Sequence, residues 1–287
     1  MGDADSTAVV GDPAVLGRAT GDIGTRIPVG KAGSTGEWRP LEHSGFDAAL
    51  TDAVVTADVV VVTGHLESTA SARLLGTVCQ QIPAEPTVLA IPSIPADGLS
   101  DDSRSAVLEV IDATGTTVPV DLGRIDDAFH RAVATNGDGP LEIATRLIVE
   151  WLGDVFETFR GPIAAGRCNQ RSVSYELFDD GGVSLLYWGW GTREDAPETL
   201  LEHAASHRFC DGDRRTATGG FGFVRFGHEF TLGEFESVEA IASQRLRGTD
   251  VGDGRWLFCG DSMRGLTEEL RLAHLVMDVD PESIAFL

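Results

Sequence analysis

The sequence predicts an α/β protein of two unlike halves: a parallel, doubly wound N-terminal sheet, a long connecting helix, and an α+β C-terminal layer. Three observations carry that reading. Residues 46–122 alternate apolar strand-like runs with helix-length amphipathic runs, the pattern of right-handed crossovers in a parallel sheet. A single apolar helix-like stretch, LEIATRLIVEWLGDVFETF, follows the turn signal NGDGP at 136–140. After GPIAAGRCNQR the spacing changes to longer strands interleaved with fewer helices.

The elements follow in order. Residues 1–40 are rich in Gly, Asp, Thr and Ser with little periodicity and predict an irregular lead-in. FDAALTDAVVTA reads as a helix, ADVVVVTG as a buried strand and SARLLGTVCQQI as a helix. PTVLAIPSI is a strand, SDDSRSAVLEVIDAT a helix capped by Ser100, and TTVPVDL a strand. This gives a nucleotide-binding-like half over 41–137, a connecting helix over 138–165 and an α+β half over 166–287. In that last half SVSYELFDDGGVSLLYWGWG reads as two strands around an Asp-Asp-Gly-Gly turn. APETLLEHAASHRF reads as a helix and GGFGFVRFG as a strand. TLGEFESVEAIASQRL is a helix opened by Thr231 and Glu234 at capping-box spacing, and GRWLFCGDS and LRLAHLVMDV are closing strands. Trp188 and Trp190 flank Gly189, so on a strand they share a face, and core burial is the expected reason.

Charge narrows the setting. The 287-residue chain has 45 acidic and 22 basic residues, a net charge of −23, and Lys31 is its one lysine. Such a surface fits a protein working in concentrated salt, where a Debye length of about 3 Å near 1 M removes self-repulsion. It disfavours binding to nucleic acid or to anionic membranes. No run approaches the roughly 20 apolar residues of a membrane helix, and the acidic start shows no secretion leader. Cys79, Cys168, Cys210 and Cys259 share no metal-binding spacing and read as free thiols in a cytoplasm. His203 and His207 stand four apart, a spacing open to a zinc pair, but without a partnering Cys or Glu they read as surface histidines. No metal site is expected.

The stretch GHLESTAS, from Gly64 to Ser71, sits between the four-valine strand and the next helix, where nucleotide-binding folds place a phosphate loop. ALTDAVVTADVVVVTGHL, SLLYWGWGTREDAPETLLEHAASHRF, GFGFVRFGHEFTLGEFESVEAIASQRL and GRWLFCGDSMRGLTEELRLAHLVMDV, in that order, resemble the corresponding segments of the tubulin/FtsZ superfamily. The likeness covers about 46–280, its FtsZ/CetZ-like character joins with the salt-adapted composition, and the type it suggests is halophilic archaeal. What the resemblance implies is a guanine-nucleotide site built on a loop like GGGTGTG, whose glycines let backbone amides reach phosphate. Here Gly64 is kept, and Thr69 and Ser71 fall where the two threonines stand. Leu66, Glu67, Ser68 and Ala70 replace the other positions. Glu67 sets a carboxylate beside phosphate, and two unit charges about 4 Å apart repel by ~4 kcal/mol at an effective dielectric of about 20. The competing reading is a plain strand-to-helix turn capped by Ser68 or Thr69.

Other family signatures are altered. The first glycine-rich turn, of the form GxGGxG, has no clear counterpart, since GDPAVLGRATGDIG follows no convincing strand. In the guanine-reading segment, similar to PNDKL, Leu122 stands at the asparagine, and an apolar side chain cannot supply amide hydrogen bonds. The acidic loop that polarises water, similar to NLDFAD, reads Asn169-Gln170-Arg171-Ser172-Val173-Ser174 without either aspartate. The resemblance therefore implies a degenerate GTPase with a nucleotide-binding remnant at Gly64, Glu67, Ser68, Thr69 and Ser71 and no catalytic residues. It implies a cytoskeletal protein of cell division or cell shape, acting through contacts with FtsZ/tubulin-like subunits or itself. No cofactor is expected, with GTP or GDP as the ligand left open. One alternative is an active, filament-forming GTPase with remodelled motifs, using Glu176 or Asp179 to orient water. The other is an unrelated small-molecule-binding α/β protein with its crevice near Gly64, Ser93 and Asp121.

The charge imbalance generates a direct expectation: thermal midpoints rise between about 0.1 M and about 2 M KCl as screening relieves acidic self-repulsion. Equal midpoints, or a lower one in the stronger salt, would contradict the salt-adapted reading.

Overall fold

The computed structural model describes residues 7–11, 25–28, 59–66, 68–82, 87–125, 129, 139–141, 143, 144, 147, 148, 151, 165, 166, 182–192, 194, 197–227, 230–245, 255–262 and 269–287. Within these, strands β1 (Thr7–Gly11), β2 (Thr25–Pro28), β3 (Val59–His65), β4 (Thr87–Ile94), β5 (Thr116–Thr117) and β6 (Val120–Asp121) form a parallel array. Strands β7 (Ala165–Gly166), β8 (Gly182–Thr192), β9 (Gly219–Phe226), β10 (Arg255–Ser262) and β11 (Glu269–Val279) form a mixed one. Pairing of β5 with β8 fuses them into a single sheet in the order β2-β1-β3-β4-β5-β8-β11-β9-β10-β7, with β6 alongside β4. Among the described residues this frame carries helices α1 (Thr69–Gln81), α2 (Asp101–Asp112), α3 (Pro197–Ser206) and α4 (Leu232–Arg245).

The strands are apolar on both faces, as expected where a sheet is covered on both sides. Val60 and Val62 of β3 enter one core cluster and Val61 the other. Along β8, Val183, Leu185 and Tyr187 face the first cluster while Leu186 and Trp188 face the second. Helical residues at 140, 141, 143, 144, 147, 148 and 151 lie on the long apolar stretch. Ile143, Ala144, Leu147, Ile148 and Trp151 are all buried there, a stripe along one helix face that packs into the second cluster.

Helix starts obey the sequence signals. Ser100 caps α2, accepting from the Ser103 N–H at 3.2 Å. At α4 the Thr231 N–H donates to Glu234 Oε2 at 2.6 Å and the Glu234 N–H to Thr231 Oγ1 at 3.3 Å, a reciprocal box.

Four expectations are corrected. Residues 1–40 supply two strands rather than only irregular chain, with β1 running from Thr7 opposite Val59 to Val10 opposite Val62. Strands this short show no period of their own; the open edge of β3 fixes them. TTVPVDL is two short strands, because Pro119 has no N–H to donate. Pro92 of β4 lies level with that break, between the pairs Ala90–Thr117 and Ser93–Val120. Cys259 is disulfide-bonded, whereas Cys79 and Cys210 are free and buried. The β10–β7 register sets Gly166 opposite Cys259, and Cys168 lies outside the described residues. Burial pushes the Cys79 thiol up to about 12 and raises that of Cys210, so both are held neutral. Finally, His203 and His207 are half-buried against Trp190 instead of sitting free at the surface. The helix expected over FDAALTDAVVTA and the first strand of the Asp-Asp-Gly-Gly hairpin lie outside the described residues.

Gly189 shows why Trp188 and Trp190 are separated by glycine. A Cβ there would lie 2.7 Å from the Leu200 carbonyl oxygen and 3.0 Å from the Ala204 methyl, both on α3. The missing side chain lets α3 settle against β8. Gly189→Ala is therefore expected to cost about 1–3 kcal/mol through overpacking, read as a lowered denaturation midpoint in high salt. Gly233→Ala, with no atom within 4 Å of its new methyl, serves as the control and leaves the midpoint unchanged or slightly raised.

Candidate functional site

The strand order reverses at β1 and β3: from β1 the sheet extends to β2 on one side, and from β3 to β4 on the other. In open α/β sheets the crevice beyond the carboxyl ends at such a switch point is where ligands bind. Beyond β3 that crevice is bounded by Gly64, His65 and the turn into α1.

The turn is occupied with its own hydrogen bonds. The Leu66 N–H donates to the Ser93 carbonyl at 2.9 Å, and His65 Nδ1 donates to the same oxygen at 3.3 Å. The Leu66 side chain is 1% exposed and belongs to the first core cluster. Ser68 is the N-cap of α1: its Oγ accepts from the Ser71 N–H at 3.3 Å, and the Ser68 N–H donates to Ser71 Oγ at 3.0 Å. The Ala72 N–H donates to the Ser68 carbonyl at 3.1 Å. A phosphate cradle needs such amides pointing outward at an anion. Here those of Leu66, Ser68, Ser71 and Ala72 point at protein. Gly64 has ordinary room for a side chain, with Leu75 Cδ1 at 3.4 Å from a built Cβ, so packing does not demand the glycine.

Thr69 looks toward α2 rather than back along its own helix. Its Oγ1 lies 3.2 Å from Ser103 Oγ and 3.4 Å from Ser100 Oγ, and those two hydroxyls are 2.9 Å apart. The N-termini of α1 and α2 thus share one hydroxyl network, with Ser71 and Ser103 buried. They border a cleft of about 570 Å³ whose polar lining includes His65, Ser68, Thr69, Asp97 and Ser100. No Lys or Arg lines it among the described residues, and Asp97 adds negative charge, a poor match to a polyphosphate.

The neighbouring segment, where Leu122 stands, is also committed to the protein. Leu122 is buried in the second core cluster with Ile125 and Phe129. Asp121 caps the short 3-10 turn at Leu122–Arg124 through the Gly123 N–H at 2.9 Å, while its own N–H donates to the Phe209 carbonyl at 2.7 Å. Arg124 reaches the Arg208 carbonyl at 3.3 Å, and both Arg124 and Arg208 pair with Asp211. This weld to the 208–211 segment escapes sequence reasoning, because its members are more than eighty positions apart. The hydroxyl network does have a sequence signal, the repeated Ser-x-x-Ser of Ser68/Ser71 and Ser100/Ser103.

Of the sequence-predicted remnant, the structure gathers Gly64, Ser68, Thr69 and Ser71 at the β3–α1 turn, with Ser93 beside them and Asp121 farther along the same end of the sheet. Glu67 lies outside the described residues, as do Asn169 to Ser174, Glu176, Asp179 and Asp180. Groups of three or more metal-ligating side chains are absent among the described residues. No described helix is long and apolar enough to cross a membrane.

No family model matches this chain, and no curated protein matches it in sequence. Solved structures do match. A mutant of FtsZ from M. jannaschii aligns with a TM-score of 0.73 at 14% identity, over 96% of this chain and 91% of that one. TubZ of Bacillus thuringiensis serovar israelensis, in a GTPγS-form protofilament, gives 0.69 at 11% identity over 98% and 88%. CetZ2 from Haloferax volcanii, in a GTPγS-bound protofilament, gives 0.63 at 11% identity over 96% and 94%. The chain has the mixed α/β fold of the tubulin/FtsZ superfamily, as the quoted segments imply, and at these identities the likeness is one of fold.

If the cap organises the turn, Ser68→Ala lowers stability by about 1 kcal/mol while Ser68→Asp largely preserves it. Urea midpoints in high salt read the difference, and equal losses in both variants would remove the cap from the account.

Proposed function

We propose that this chain is a divergent FtsZ/tubulin-like cytoskeletal protein, a degenerate GTPase that acts through protein–protein association in cell division or cell shape. The observation that carries this reading is the internal use of backbone donors at the β3–α1 turn, where Leu66, Ser68, Ser71 and Ala72 bond within the protein. Displacing those bonds to admit phosphate would cost roughly 1 kcal/mol or more for each one lost. Leu122 in the core and a cleft lining without Lys or Arg among the described residues point the same way. The replacement of both acidic-loop aspartates leaves no evident group to orient water.

Association is the natural remaining activity. Several of the matching structures are described as protofilaments, and a head-to-tail contact propagates only while both of its faces stay competent. We read the chain as a doubly wound half and an α+β half joined by the connecting helix expected over 138–165, with the remodelled turn on the first half. The second half keeps more of the family pattern, including Gly189, Gly191, Thr192 and Glu194. One intact and one altered face suit a protein that caps a filament end, or pairs with itself, in the cytoplasm of a salt-adapted cell. The persistence of a cleft of about 570 Å³ beside α1 favours a second reading, an active GTP-binding assembler with remodelled motifs.

Titration with labelled GTP in molar KCl separates the two. The expected result is no saturable binding in the micromolar range, together with sedimentation as a monomer or dimer whether GTP is present or not. Micromolar affinity, or long GTP-dependent filaments of the pure protein, would overturn the degenerate-GTPase reading in favour of the second.

A further inference from the structure

We draw no further inference here: the strongest candidate, the polar cleft of about 570 Å³ where the starts of α1 and α2 meet, belongs to the site already described, and beyond two helix N-termini and the hydrogen bonds among their own hydroxyls nothing among the described residues points to what would fill it.

Discussion

Two residue pairs, Thr116 with Gly182 and Thr117 with Val183, hold the halves of this molecule in one sheet. The junction is short, so its surroundings are tightly fixed. Thr116 and Thr117 are fully buried, Thr117 Oγ1 meets Thr114 Oγ1 at 2.8 Å, and the Gly182 N–H closes on the Gly115 carbonyl at 3.0 Å. Gly182 takes a positive φ of 49°, and a Cβ there would lie 2.7 Å from Asp278 Oδ1, so no other residue fits without rearrangement. Across this junction each apolar cluster runs unbroken. The first joins Val60 and Ala106 to Leu185 and Phe286, and the second joins Val61 and Leu89 to Trp188 and Phe223. Among the described residues both clusters draw members from either side of the junction.

That shared core shapes the candidate site. Leu66 is drawn inward by the first cluster, and its amide turns to Ser93 as a result. Leu122 is drawn into the second cluster, and the chain around it is fastened to the 208–211 segment through Asp211 and the Phe209 carbonyl. In both places the side chain and the backbone donors face the protein. The serine caps at Ser68 and Ser100 satisfy first-turn amides of α1 and α2 with hydroxyls. The turn is therefore better built as a support for α1 and α2 than as an anion cradle.

Much of the chain is legible because local chemistry and tertiary need agree. The four valines of β3, the Ser100 cap and the Thr231/Glu234 box are found as their residue types require, since caps and buried strands depend on neighbours close in sequence. Legibility fails where the deciding contact is distant. Strands β1 and β2 exist because β3 offers an edge, and α3 rests on Gly189 because a backbone rather than a pattern meets it.

The sequence by itself determined the alternation of elements, the acidic surplus of charge and the single glycine in the stretch from Gly64 to Ser71. Those properties reside in composition and short spacing, which no packing arrangement alters. Tertiary structure alone decided that Thr69 bonds to α2, that Leu66 and Leu122 belong to cores on opposite faces, and that His203 and His207 pack against Trp190. Each of these depends on which face of a strand or helix meets which neighbour. That is set by sheet register and helix approach, quantities fixed by contacts between residues far apart in the chain.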